Sequence, residues 1–110
     1  PAMQIEYDEK RGILVRPDGP FDYCAGHECI ERTEEYLKDF GSVQVTIDFR
    51  ETTCMDSSGI GALLVLKHKL PPQSPSIRLV RPRKSVHKLM EMCHLHSLFE
   101  IEIEIETESD

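Results

Sequence analysis

Val45-Thr46-Ile47-Asp48-Phe49, a polar connection from Arg50 to Asp56, and then Ser57-Ser58-Gly59-Ile60-Gly61-Ala62-Leu63-Leu64-Val65-Leu66 decide how this chain folds. Val43, Val45, Ile47 and Phe49 alternate with Gln44, Thr46 and Asp48, the period-two pattern of a strand. Ser58 to Leu70 predicts a helix whose first half leaves almost no polar face. A helix apolar nearly all round belongs between a sheet and neighbouring helices. Pro71-Pro72 stops it. Asp56 or Ser57 stands where a side chain caps the first turn, accepting from its free backbone N–H groups, at a gain of about 1 kcal/mol. Gly59 and Gly61 follow at once, each costing roughly 0.5–1 kcal/mol against alanine in a helix. That cost calls for compensation, either close backbone packing or open access for another molecule to the loop and its serines.

Working outward, Met3, Ile5 and Tyr7 alternate with Gln4, Glu6 and Asp8 as a strand, Asp8 to Gly12 makes a polar turn, and Ile13-Leu14-Val15 resumes. This is a hairpin pattern. Pro17-Asp18-Gly19-Pro20 breaks the chain. Cys29, Ile30, Thr33, Leu37 and Phe40 then fall at helical spacing, so Tyr23 to Phe40 is an amphipathic helix stopped by Gly41. Downstream come a strand at Ile77 to Val80 and a third helix opened by Pro82, with apolar positions Val86, Leu89, Met90 and Cys93. An alternating apolar–acidic strand from Leu98 to Ile105 closes the pattern. Strands alternating with helices after a hairpin imply α/β architecture with an α+β-like start. We expect one domain over residues 1–110, with a mixed four- to five-stranded sheet and three or more helices packed on it.

Composition narrows the function. The 110 residues carry a formal charge of −7, and six acids without one base occupy residues 100–110. The remainder is nearly balanced, with no basic excess for generic nucleic-acid binding. Arg78, Arg81, Arg83, Lys84 and Lys88 read as a solvated face around the third helix, with an acidic partner as the other reading. The longest strongly apolar run, Ile60 to Leu66, is too short to cross a bilayer, and the first residues lack a signal-peptide layout. A cytoplasmic protein without membrane insertion is expected. Cys24, Cys29, Cys54 and Cys93 form no CxxC pair, and with His27, His94 and His96 they match no standard zinc spacing. They read as small buried hydrophobes. Neither a G-x-S-x-G elbow nor a P-loop lysine is present, so no catalytic residue, metal or cofactor is expected, and the chain reads as an enzyme's substrate. A serine at an open helix start suits that role. A phosphoryl group there adds about −1.5 to −2 charges, and the helix start can host it.

The strand, the polar connection after it and Asp56-Ser57-Ser58-Gly59-Ile60-Gly61-Ala62-Leu63-Leu64 resemble the signature of the STAS domain, the fold of anti-sigma factor antagonists. The likeness extends to Phe21-Asp22 before the first helix, to Arg78-Leu79-Val80-Arg81-Pro82 with Val86-His87-Lys88-Leu89, and to Cys93 through Ile101 at the close. His94 stands where the family usually ends its last helix with glycine. The resemblance implies that Ser57 is phosphorylated by a serine kinase that often doubles as the anti-sigma factor, and is restored by a PP2C-type phosphatase. It implies binding of the kinase or anti-sigma factor in the unmodified state. Asp56 would cap the helix or orient the hydroxyl, and Ser58 would be a second cap or minor acceptor. Gly59 and Gly61 would keep the surface low for a partner, Asp22, Met55 and Ile60 would contribute to the docking face, and Asp48 would help hold the loops. A monomer or weak dimer is expected. The alternative is a non-phosphorylated scaffold, such as an accessory subunit of a lipid transporter, in which Ser57 is a cap and nothing more.

Overall fold

A computed structural model describes residues 3–103. The hairpin forms as its alternation dictates. Strands β1 (Met3–Asp8) and β2 (Gly12–Pro17) pair antiparallel, with Ile5 opposite Val15. A short strand β3 (Gly19–Phe21) follows, then helix α1 (Tyr23–Phe40), strands β4 (Val45–Asp48) and β5 (Thr52–Met55), and helix α2 (Ser57–Lys69). Strand β6 (Arg78–Val80), helix α3 (Lys84–Met92), a 3₁₀ turn at Leu95–Ser97 and strand β7 (Glu100–Glu102) complete the described chain. The main sheet has the order β1-β2-β4-β6-β7 and is parallel except for the hairpin. It meets the expectation of a mixed sheet with three helices.

One face of the sheet builds the core. Ile13, Val15, Val45, Ile47, Ile77 and Leu79 point under the helices, where they meet Cys29, Leu63, Leu66, Val86 and Met90. The Phe21 ring meets the Phe49 ring edge-on at a centroid distance of 5.3 Å. Alternate residues of the same strands, among them Arg16, Asp48 and Arg78, face away from this core.

Three differences from the sequence reading have physical causes. Gly19–Phe21 and Thr52–Met55 lie in segments read as a break and a connection, yet they pair with each other as a separate two-stranded parallel sheet. Neither has strand length or alternation on its own, so only their mutual pairing identifies them. Helix α2 is not covered all round. Leu64 and Val65 are 39% and 45% exposed, because α1 covers one flank of α2 and nothing described covers the other. The closing strand is shorter than expected. Residues 98 and 99 leave the 3₁₀ turn, while residues 104 and 105 lie outside the described chain. His94 takes the left-handed conformation at φ 57°, the role of the glycine it replaces.

Cys29 is buried on the inner face of α1, and burial pushes its thiol up to about 12, far from the reactive thiolate range. Cys24, Cys54 and Cys93 are exposed, correcting the expectation that all four are buried. Iodoacetamide at neutral pH should therefore modify three cysteines per chain rapidly and leave Cys29 unmodified until denaturant is added. Peptide mass mapping checks this, and fast native labelling of Cys29 would contradict the packing.

Candidate functional site

Strands β2 and β4 are parallel neighbours, and after each the chain kinks and continues as β3 and β5, which pair in parallel again. The Gly19 N–H donates to the Glu51 carbonyl at 3.0 Å, keeping the two chains together through the kink. The extensions end side by side, with Phe21 opposite Met55. In each the next residue is aspartate and the residue after it starts a helix. Asp22 caps α1, its Oδ1 accepting from the Ala25 N–H at 3.1 Å, and Asp56 caps α2, its Oδ1 accepting from the Gly59 N–H at 3.0 Å. Two aspartate-capped helix starts of the same polarity therefore stand next to each other.

Close packing fixes their separation. A Cβ placed on Gly26 would come within 2.5 Å of the Ala62 Cβ, so the glycine lets the first turns of α1 lie against α2. Gly59 does the same toward β3. A Cβ there would meet the Phe21 carbonyl oxygen well inside van der Waals contact and the Phe21 ring at 2.8 Å. This corrects the expected role of Gly59, which seats α2 on the small sheet instead of lowering the surface for a partner. Ile60 is corrected as well. It is 7% exposed and belongs to the core, since the turn that buries Gly59 carries its neighbour inward too. Gly61 differs, because nothing lies within 4 Å of where its Cβ would be.

Ser57 is the first residue of α2 and is exposed, as are Asp56 and Ser58, while Met55 is half-buried. Because Asp56 takes the cap, neither serine hydroxyl is needed to hold the helix start. Along α2 the positions 57, 61, 64, 65 and 68 recur at i, i+4, i+7, i+8 and i+11, which places them on one face. That face presents, in order, the hydroxyl of Ser57, the bare backbone of Gly61, the apolar Leu64 and Val65, and His68. Beside it on α1, Tyr23 is 68% exposed and stacks on His27 with ring centroids 5.9 Å apart. Tyr23, Leu64 and Val65 were not among the expected site residues. The repeated apolar-Asp pair ahead of each helix, Phe21-Asp22 and Met55-Asp56, is the signal in the sequence that would have joined the two helix starts.

Asp48 does not reach this face. It ends β4 on the side of the sheet away from the helices, where its carboxylate holds the next turn by accepting from the Arg50 backbone N–H at 3.0 Å. It steadies the kink that leads to β5, one step removed from the serines. Among the described residues no group of three or more histidine, cysteine or acidic side chains could hold a metal, and no helix is long and apolar enough to cross a membrane.

The family profile of the STAS domain matches residues 4–108, and the chain belongs to that family. The fold is that of anti-sigma factor antagonists. The unphosphorylated form of the anti-sigma factor antagonist SpoIIAA superposes with a TM-score of 0.71 at 18% identity, covering 96% of this chain and 90% of that one. A candidate anti-sigma factor antagonist from Thermotoga maritima superposes with a TM-score of 0.76 at 13% identity, covering 94% and 87%.

The two glycines of α2 should separate cleanly on substitution. Gly59→Ala forces a Cβ into backbone and should destabilise the domain by about 1–3 kcal/mol. Gly61→Ala meets open space and should stabilise it by roughly 0.5–1 kcal/mol through helix propensity. Urea unfolding of the two variants measures both. A stabilised Gly59→Ala would overturn the packing described.

Proposed function

We propose that this chain is a phosphorylatable anti-sigma factor antagonist: unmodified, it binds a serine kinase that serves as the anti-sigma factor, and phosphorylation of Ser57 releases it. A PP2C-type phosphatase returns it to the binding state. The observation that carries this reading is the exposed Ser57 hydroxyl at the start of α2, spared from capping by Asp56 and sharing a helix face with the exposed Leu64 and Val65. The family match and the fold shared with SpoIIAA support it.

The physics of the switch follows from the neighbourhood. Tyr23, Leu64 and Val65 offer apolar area to a partner, at roughly 25 cal/mol for each Å² buried. Asp22 and Asp56 already bring two negative charges to the same edge, and the half-buried Met55 immediately precedes Asp56. A phosphoryl group on Ser57 adds about −1.5 to −2 more beside those carboxylates. The free N–H groups and positive end of α2 stabilise it within the chain. Covering that charge with a partner's apolar surface requires stripping its water, which costs several kcal/mol unless the partner supplies cations. Each 1.4 kcal/mol is about a tenfold change in affinity, so partial expression of that penalty is enough to release the partner. Gly61 keeps the rim beside the hydroxyl low, and Ser58, exposed on the next position, is a minor acceptor at most. In this scheme the chain is a substrate, not an enzyme, and works without a cofactor.

The scaffold alternative makes Ser57 a cap and nothing more, and Asp56 already fills that place. We expect the cognate kinase to place phosphate on Ser57, located by peptide mass spectrometry. Ser57→Ala should retain kinase binding, and Ser57→Asp should weaken it by roughly tenfold or more. Both variants should fold, because Asp56 holds the helix start. Phosphate found only on another residue, or equal binding by wild type and both variants, would sink the proposal.

A further inference from the structure

The chain is acidic overall, yet six of its seven arginines, Arg11, Arg16, Arg32, Arg50, Arg78 and Arg81, line a single basin on the helix-free face of the main sheet. None of its six lysines does. The basin encloses about 1060 Å³, and its described lining holds three carboxylates, Glu6, Asp48 and Glu102, against those six guanidinium groups. Of the six, only Arg32 comes from a helix, reaching the Met3 carbonyl at the sheet edge at 2.9 Å. Arg78 and Arg81 thus belong to the sheet and not to a basic face around the third helix, as the sequence reading had placed them.

Three of these arginines converge on one atom. Asp48 Oδ2 has Arg50 Nε at 3.1 Å, Arg81 Nη2 at 3.3 Å and Arg16 Nε at 3.5 Å. A guanidinium brings five N–H donors, so Arg16 and Arg50 between them bring more than one carboxylate oxygen can accept. Two buried polar atoms lining the same face have no hydrogen-bond partner among the described residues: Arg16 Nε, whose contact with Asp48 is only an ion pair, and the Thr46 hydroxyl, on a side chain that is 6% exposed. Arg81 holds its place in the left-handed conformation at φ 56°, a strained choice for a side chain other than glycine. Arg16, Asp48 and Arg81 lie at or just past the carboxyl ends of β2, β4 and β6, the end of a parallel sheet where ligands gather. Parallel strands are ordinarily covered on both faces. Here no described element covers the face that carries the arginines.

We propose that this basin binds the phosphoryl dianion of a small phosphomonoester, seated on Arg16, Arg50 and Arg81 over Asp48. Arginine rather than lysine suits a tetrahedral oxyanion, because its planar fork donates two parallel N–H groups to two oxygens. Three forks gathered at one point match a compact dianion better than the spaced carboxylates of an acidic peptide. The body of the ligand would lie on the half-buried Leu14 and Val80 of the same lining. The described lining holds no aromatic ring, so it offers no stacking platform for a single-stranded nucleic acid.

The test is an amide-resolved NMR titration of the full chain at constant ionic strength. Its probes are glycerol 3-phosphate, inorganic phosphate and hexaglutamate. Saturable shifts at Arg16, Asp48, Arg50 and Arg81 are expected with both phosphoryl probes, and tighter binding of glycerol 3-phosphate would show that the organic body is used. The Arg16→Gln/Arg50→Gln double variant should bind roughly tenfold more weakly or worse. Arg50→Lys should recover part of the loss, and Asp48→Asn, which removes the competing carboxylate, should bind more tightly than wild type. The measurement uses Ser57→Ala protein, so its outcome does not depend on the phosphorylation reading. Absence of saturable shifts, binding unchanged in the double variant while it remains folded, or tighter binding of hexaglutamate than of either phosphoryl probe would overturn the proposal.

Discussion

Parallel pairing of two three- and four-residue strands, Gly19–Phe21 with Thr52–Met55, is the constraint on which the candidate site depends. Such short strands do not persist alone. They hold because each continues a longer strand of the main sheet and because Phe21, fully buried against Phe49, anchors the junction. Once Phe21 and Met55 are neighbours, the two following aspartates and the helices they cap must also be neighbours. Gly26 and Gly59 permit the resulting closeness, and any side chain at either position would separate the elements they join.

The sequence was legible wherever periodicity and burial agree. The hairpin, the long amphipathic α1, strand β4 and the proline-stopped α2 all show alternation or helical spacing that matches the face they bury. Asp56 as a cap was legible for the same local reason. Illegible was whatever depends on two distant segments meeting. Pro17 to Pro20 looks like a break because glycine and proline dominate it, and only the partner strand thirty residues later makes it structure. The two glycines of α2 looked alike in sequence, yet one touches backbone and the other touches nothing, a distinction set by which side of the helix faces β3. Likewise Leu64 and Val65 look like core, and their exposure follows from α1 lying on the other flank.

The arginine basin was hidden for a related reason. Its arginines are scattered from position 11 to position 81: alternation along β2 and β6 turns Arg16 and Arg78 to this face, the loops after β1, β4 and β6 add Arg11, Arg50 and Arg81, and α1 adds Arg32. Arg78 is held there from the far edge by Glu102, with Nε at 3.0 Å, and this pairing raises its pKa further. Asp48 ties the two regions into one structure. Its carboxylate gathers the arginines on one side, while its bond to the Arg50 N–H shapes the turn that leads into β5 and on to the serines.

Delegating the cap to Asp56 frees the next position from any part in holding up the fold. A lineage can then exchange the side chain there by single codon changes, without first repairing the scaffold. The chemistry at that one position can therefore vary while the first turn of α2 stays held.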